Sequence, residues 1–147
     1  MPVKPIPDGY HSVQPYLMID GATEAIEFYK KAFGATERLC MKQPDGRVAH
    51  AEIQIGDSVI MMADENAQID AFAPGHYGGS SVSLLIYTED CDAMYLRAIA
   101  AGANNEREPA DQFYGDRMAG LKDPFVYKWF IATHIKDVSK TELEKPH

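Results

Sequence analysis

Apolar and polar positions follow the same order in two stretches of the chain, residues 13–34 and 81–102. Each stretch has the pattern of an apolar strand, a turn, an amphipathic helix and a glycine stop. Leu17 matches Leu85 at an offset of 68 residues (85 − 17), and the two closing glycines match at the same offset. A constant offset is typical of an internal duplication. The pattern therefore predicts a domain of two paired modules.

The first module is predicted to combine one helix with four strands. Apolar residues between Ala25 and Phe33 recur at three- and four-residue spacing, which indicates one buried helix face. Thr23 is the expected N-cap of this helix and Gly34 its stop. Strands are expected at residues 13–19, 36–42, 48–55 and 58–63. Pro15 lacks a donor for a sheet ladder, which places the first strand at an edge or near a bulge.

The second module repeats this order with a weaker pattern. Its elements are a strand at 81–87, a helix at 90–101 capped by Asp90, an irregular polar stretch at 104–115, and strands at 118–122 and 127–133. We expect an α+β fold of two βαβββ modules that form curled mixed sheets around a cavity. The modules are assigned to residues 10–66 and 80–135 of one structural domain, with a linker at 64–79 and tails at 1–9 and 136–147.

Composition and charge exclude several classes of protein. The 147 residues have the length of one domain, and 46% of them are hydrophobic, which is enough for a core. The net charge is −8 and the basic residues are scattered, so no nucleic-acid surface is expected. No apolar run reaches membrane-spanning length, and residues 1–12 lack a signal-peptide core. We therefore expect a soluble, cytoplasmic protein, in which Cys40 and Cys91 are buried, inert thiols rather than a disulfide framework.

The strongest chemical signal lies in the predicted strand 48–55. His50, Glu52 and Gln54 are two residues apart and therefore project from one face. They are solvent-facing if the sheet is flat, and they line a pocket if this face is concave. A histidine beside a carboxylate can then serve as an acid or base, or help to hold a metal. The five histidines show no ligand spacing to one another, so a metal site would need distant strands to converge.

A second candidate segment is the polar loop with Phe113, Tyr114, Gly115, Asp116 and Arg117. One interpretation is a turn followed by an adjacent Asp–Arg pair. The other is an aromatic and cationic loop that closes over a ligand, because two exposed aromatic side chains are costly without a purpose. The second interpretation is slightly favoured.

Three segments in order carry a family resemblance: YLMIDGATEAIEFYKKAFGA, HAEIQIGDSVIMMAD and FYGDRMAGLKDPFVYKW. They resemble the PhnB-like branch of the vicinal oxygen chelate superfamily, which includes glyoxalase I, extradiol dioxygenases and the fosfomycin and bleomycin resistance proteins. The resemblance spans about residues 10–135 and implies the doubled βαβββ fold and a homodimer. One departure is Val126, which replaces the glycine of the usual DPFG form and is expected to alter the turn before the last strand.

In metal-dependent members of this superfamily, four ligands come from the first and last strands of each module. The resemblance places Gln14, Met61, Val82 and Phe130 at these positions. Gln binds divalent cations weakly, Met is a soft ligand, and Val and Phe cannot ligate. We therefore expect no metal and no other cofactor, with a divalent metal as the alternative.

The preferred functional hypothesis is a metal-independent protein that binds a small molecule, as bleomycin-resistance proteins do. The expected ligand-binding residues are Gln14, Tyr16, His50, Glu52, Phe113 and Arg117. The alternative is a metal-dependent, glyoxalase-like lyase, isomerase or transferase with a rearranged site at His50 and Glu52. A third hypothesis is a vestigial pocket in a dimer with a structural role. The catalytic residues, the ligand and the pathway stay open at this level.

Overall fold

The computed structural model describes residues 2–147, which form two compact units, one up to Gly79 and one from Ser80. The first unit contains β1 (Tyr16–Ile19), α1 (Ala22–Phe33), β2 (Thr36–Lys42), β3 (Val48–Ile55) and β4 (Ser58–Asp64). The strands form one sheet in the order β1-β4-β3-β2, in which β1 and β4 are parallel and the other pairs antiparallel. This is the predicted βαβββ module.

Helix α1 packs its apolar stripe on this sheet, and its ends differ from the prediction in one respect. Gly34 ends the helix in the left-handed conformation at φ 69°, as expected. The expected N-cap at Thr23 is wrong, because the helix begins at Ala22 and no local side chain caps it. Instead the Asp64 carboxylate accepts hydrogen bonds from the N–H groups of Gly21 (3.1 Å) and Ala22 (2.8 Å). A remote carboxylate thus satisfies two free N–H donors at the start of the helix.

The first strand is shorter than predicted. It begins at Tyr16 rather than Val13, since Pro15 cannot donate to the ladder and contributes only its carbonyl, which accepts from Met61 N–H at 3.0 Å. Strand β3 has the predicted bounds, and its predicted alternation holds from His50 onward but not at its start, where Val48 is buried and Ala49 exposed. Ala51 and Ile53 are fully buried on the face that carries α1. His50, Glu52 and Gln54 lie on the opposite face, which is called the open face below.

The second unit contains β5 (Ser83–Tyr87), α2 (Cys91–Ala101), β6 (Asn104–Asp111), β7 (Asp116–Lys122), β8 (Lys128–His134) and α3 (Lys140–Leu143). Its sheet order, β5-β8-β7-β6, repeats that of the first unit. The duplicated mixed-sheet fold is therefore confirmed, and neither sheet closes into a barrel. Asp90 caps α2 as predicted, by accepting from Ala93 N–H at 3.0 Å.

The irregular stretch predicted at residues 104–115 is wrong, because most of it forms strand β6. This strand lies at the sheet edge, pairs with β7 alone, and is almost entirely exposed. An exposed edge strand needs no apolar alternation, so its sequence carries no period-two signal. The C-terminal segment is ordered in part, since it contains α3 and the N–H groups of Ile135 and Lys136 donate to the Gly115 carbonyl.

The turn between β7 and β8 keeps a glycine-like shape around Val126, whose φ is 75°. Asp123 holds this turn. One of its carboxylate oxygens accepts from the N–H groups of Phe125 (2.8 Å) and Tyr127 (3.0 Å), and the other from Trp129 Nε1 (2.8 Å). The expected alteration of the turn is therefore not seen, because the buried carboxylate imposes the conformation on a β-branched residue.

The linker between the units is not featureless. It forms two short 3₁₀ turns, at Ala67–Ile69 and Pro74–Tyr77. Both cysteines are free; Cys91 is buried and Cys40 is half-buried. Within residues 2–147, no helix has the length and apolarity that crossing a membrane requires. The cytoplasmic location stays a prediction.

Candidate functional site

The open face of the first sheet holds a hydrogen-bonded chain of Tyr16, His50 and Glu52. Tyr16 lies on β1, and the other two lie on β3, separated by the intervening strand β4. The Tyr16 hydroxyl is 2.8 Å from His50 Nδ1, and His50 Nε2 is 2.8 Å from a Glu52 carboxylate oxygen. His50 and Glu52 lie on the same face because they are two residues apart in β3. The pairing of β1 and β3 with β4 brings Tyr16 to that face as well.

Two residues that the sequence did not single out complete this chain. The Tyr10 hydroxyl donates to the second carboxylate oxygen of Glu52. The Arg38 guanidinium lies over the Tyr10 ring, 5.0 Å from its centroid, and donates to Gln54 Oε1 at 2.8 Å. Tyr10 comes from the lead-in before β1, and Arg38 lies at a register shift between β2 and β3. Neither position has a periodic sequence signal.

Glu52 is the buried charge of this site, with only 6% of its surface exposed. Burial acts to raise the pKa of Glu52, but hydrogen bonds from Tyr10 and His50, with a smaller contribution from the Arg38 charge, outweigh it and hold that pKa below its ordinary value. Burial, together with the Glu52 charge, raises the pKa of Tyr16. At neutral pH the site therefore pairs a carboxylate with a protonated phenol.

Apolar side chains surround this polar chain on the same face. Strand pairing sets Leu39 opposite Glu52, Met41 opposite His50, and Met61 beside both Tyr16 and Glu52. Leu39 is 42% exposed, Met41 52% and Tyr16 46%, which are high values for large apolar side chains. The face thus offers an apolar surface with a few oriented polar groups, which is the usual composition of a small-molecule site.

The other predicted site residues lie apart from this chain. Gln14 folds back locally and accepts from the His11 N–H. Phe113 belongs to the second unit, where its ring is 61% exposed and 4.1 Å from the ring of His147. Arg117 also belongs to that unit, and its guanidinium binds Asp92 through two bonds of 2.6 and 2.9 Å. A further 3.0 Å bond to Asp111 pairs the arginine fully within its own unit.

The adjacent Asp–Arg pair considered for this loop does not form, because neighbouring residues of β7 face opposite ways. Asp116 is buried and accepts from the Tyr87 hydroxyl at 2.7 Å, and it lies 2.8 Å from His134 Nδ1. His134 Nε2 is 2.7 Å from Asp137. Hydrogen bonds to Asp116 and Asp137 raise the pKa of His134 above its ordinary value. This second Tyr–Asp–His cluster was not predicted, since its two hydrogen-bonded pairs are 29 and 18 residues apart in the chain.

A polar cavity of about 360 Å³ lies at the β2–β3 turn of the first unit and is lined by residues such as Gln43, Arg47 and Gln68. Arg47 is fixed there by a 2.7 Å bond to the Glu65 carbonyl. The cavity lacks the Tyr16–His50–Glu52 chain and six of its seven lining residues are polar, so it has a different character from the open face.

The metal site of the superfamily does not fit this donor set. Of the four positions assigned by resemblance, Met61 lies on β4, Phe130 lies on β8 with the Lys128 amine 5.1 Å from its ring centroid, and Val82 is 63% exposed before β5. Gln14 alone offers an oxygen donor. Within residues 2–147, no group of three or more His, Cys, Asp or Glu side chains is arranged to hold a metal ion.

Comparison with known proteins identifies the family. The family model described as Glyoxalase/Bleomycin resistance protein/Dioxygenase superfamily matches residues 11–131. This match covers most of the chain, and the protein therefore belongs to this superfamily, as its sequence segments indicated.

The chain is 33% identical over 136 residues to an uncharacterized protein of Mycobacterium bovis, covering 90% of each chain. Among solved structures it resembles a gene product of Arabidopsis thaliana, with a TM-score of 0.67 and 25% identity over 84% of this chain and 98% of the other. It also shares its fold with a Bacillus cereus PhnB protein described as a putative 3-demethylubiquinone-9 3-methyltransferase. That match has a TM-score of 0.64 and 18% identity over 84% of this chain and 99% of the other.

Proposed function

We propose that this protein binds a small molecule without a metal, on the open face of the first sheet. The observation that carries the proposal is the placement of exposed Tyr16, Leu39 and Met41 around the hydrogen-bonded His50–Glu52 pair. A ligand with a flat apolar body would cover the exposed side chains and reach one oriented polar group. Membership in a superfamily that includes bleomycin resistance proteins supports this kind of function.

The polar groups of this face favour binding over a structural role. Each acceptor of the buried Glu52 carboxylate has a donor, from Tyr10 on one side and His50 on the other. Such a network is rigid and keeps its orientation in a low-dielectric site. Because the surrounding apolar side chains are already exposed, the binding surface is formed before the ligand binds. Binding should therefore cost little conformational entropy of the protein.

Metal independence is proposed because the assigned positions hold one weak oxygen donor, one thioether and two side chains without donors. Elemental analysis of protein grown with and without added Zn, Ni or Mn tests this point. We expect well below one metal per chain in every preparation. A stoichiometric metal that is lost in the His50→Ala variant would contradict the proposal and favour the metal-dependent lyase, isomerase or transferase.

Thermal-shift screening with flat aromatic and glycopeptide compounds tests the binding itself. A ligand at 100 times its Kd adds about 2.7 kcal/mol to the free energy of unfolding, and its effect rises with concentration. The variant Met41→Lys places a charge on the proposed surface and should abolish the shift. Leu96→Lys is a matched control, since Leu96 is 64% exposed on α2 of the second unit. An equal loss in both variants, or no hit in the library, would contradict the proposed site.

We also propose a homodimer, as the resemblance implies. The edge strand β5 carries exposed Leu85 and Tyr87, 46% and 63% accessible, and a second copy would cover them. Sedimentation of the wild type and of a Leu85→Glu variant tests this. We expect a dimer in the first case and a monomer in the second, whereas a monomeric wild type would contradict the proposal.

A further inference from the structure

The direction of each hydrogen bond around His50 follows from the groups that face it. Glu52 is an ionised carboxylate at neutral pH, and a carboxylate only accepts. Its contact at 2.8 Å therefore requires a proton on His50 Nε2. We take His50 in its neutral form, in which the imidazole carries one proton; with that proton on Nε2, Nδ1 is an acceptor. The Tyr16 hydroxyl, 2.8 Å from Nδ1, must then donate its only proton to the histidine.

This arrangement determines whether Tyr16 acts as a hydrogen-bond donor or acceptor toward a ligand. Its hydroxyl proton is committed to His50, while its oxygen keeps a lone pair. Within the part of the chain that the structure describes, that oxygen makes no other hydrogen bond, and the residue is 46% exposed. Tyr16 therefore meets a ligand as an acceptor, even though a free phenol could act in either role.

We infer that the site selects an apolar, flat molecule that presents a hydroxyl or amino donor to Tyr16 Oη, and that the His50–Glu52 pair sets this polarity. The inference rests on the proposed function and names its ligand class. Molecules of the same shape whose nearest polar atom is only an acceptor, such as ethers, would place two lone pairs against each other. A ligand would cover this half-exposed oxygen, and one without a donor there would bind more weakly by roughly the strength of one hydrogen bond.

The tautomer of His50 gives the first test, and it needs no ligand. Nitrogen NMR of the imidazole rings at neutral pH, assigned by the loss of signal in His50→Gln, reports which ring nitrogen carries the proton. We expect a protonated Nε2 and a bare Nδ1. The opposite tautomer, or a proton on both nitrogens, would overturn the inference, whatever the protein binds.

Matched probes give the second test. We would titrate 2-naphthol and 2-methoxynaphthalene, in which a methyl group replaces the donated proton, and follow the Met41 and Met61 methyl signals. One hydrogen bond of ordinary strength predicts about tenfold tighter binding of the naphthol. Tyr16→Phe should remove this preference. Tyr87→Phe, which alters an exposed tyrosine of the other sheet, should retain it.

The outcomes separate the two proposals. Equal affinity for both probes, both on the open face, would overturn the selectivity and leave the proposed function intact. A preference for the ether would also overturn it. Binding of neither probe at any part of this face would count against the proposed function itself, and the polarity of Tyr16 would then be decided by the tautomer measurement alone.

Discussion

Val126 occupies a backbone conformation that favours glycine, and its replacement by glycine should stabilise the protein. A non-glycine residue at positive φ costs about 1–3 kcal/mol, and a β-branched side chain is among the least tolerant. The observed φ of 75° therefore stores strain in the β7–β8 turn. Two effects oppose the gain in Val126→Gly. Glycine adds about 0.5–1 kcal/mol of entropy to the unfolded chain, and a half-buried side chain is lost.

Strain at a β-branched residue lies near the upper end of that range, about 3 kcal/mol. Subtracting about 0.75 kcal/mol for chain entropy and about 1 kcal/mol for half of a buried valine side chain leaves a gain of about 1 kcal/mol in the free energy of unfolding, or roughly 3 °C in Tm for a chain of this size. Urea unfolding followed by tryptophan fluorescence is well suited to the measurement. The protein has one tryptophan, Trp129, and its Nε1 donates to Asp123, which holds the turn that contains Val126. The fluorescence thus reports on the unfolding of the element that is changed.

A glycine-to-valine substitution in the first unit measures the energetic cost of a positive φ by itself. Gly46 lies in the β2–β3 turn at φ 89°, and a Cβ added there would meet no atom within 4 Å. Gly46→Val should therefore destabilise through backbone strain alone, by about 1 kcal/mol or more. If Val126→Gly lowers stability, or if Gly46→Val is neutral, the strain argument is refuted.

Three further predictions concern contacts that stabilise other parts of the fold. Gly115→Ala should destabilise the protein by about 2 kcal/mol or more and release the C-terminal segment to limited proteolysis, because its Cβ would lie 2.0 Å from a backbone carbonyl oxygen of that segment. Asp64→Ala should cost about 2 kcal/mol in urea unfolding, since three backbone N–H groups lose their acceptor. Hydrogen bonds to Asp116 and Asp137 raise the pKa of His134, so its stabilising effect is complete below the unfolded pKa of about 6.5 and declines as pH rises through the higher folded pKa. The urea midpoint of His134→Gln should therefore lose this pH dependence, while an unchanged pH profile would contradict the assignment.

Local patterns explain why much of the fold could be predicted. The hairpin of β2 and β3 follows from a Pro-Asp-Gly turn between two strand-like segments, and its predicted bounds are those observed. Strand β6 was not predicted because it lies at an exposed sheet edge, where neither face of the strand needs apolar residues. The helix cap at Asp64 could not be predicted either, because it comes from a strand more than 40 residues away.

The same distinction applies to the candidate site. His50 and Glu52 were predicted to share a face because a strand places alternate residues together. Tyr10 bonds to Glu52 across 42 residues of the chain, and Arg38 bonds to Gln54 across 16. A local sequence pattern cannot predict such tertiary contacts. Asp116 and Arg117 illustrate the opposite case, since neighbours in the sequence serve two separate clusters on opposite sides of one strand.

Methyl NMR of the methionines tests the proposed binding surface most directly. Met61 faces the open side of the first sheet, whereas Met62, the next residue, is fully buried on the helix side and serves as an internal control. Titration with a hit from the compound screen should shift the Met61 and Met41 methyl signals and leave Met62 nearly unchanged. A hit that shifts only methyl groups of the second unit, or that moves Met62 as much as Met61, would contradict the account.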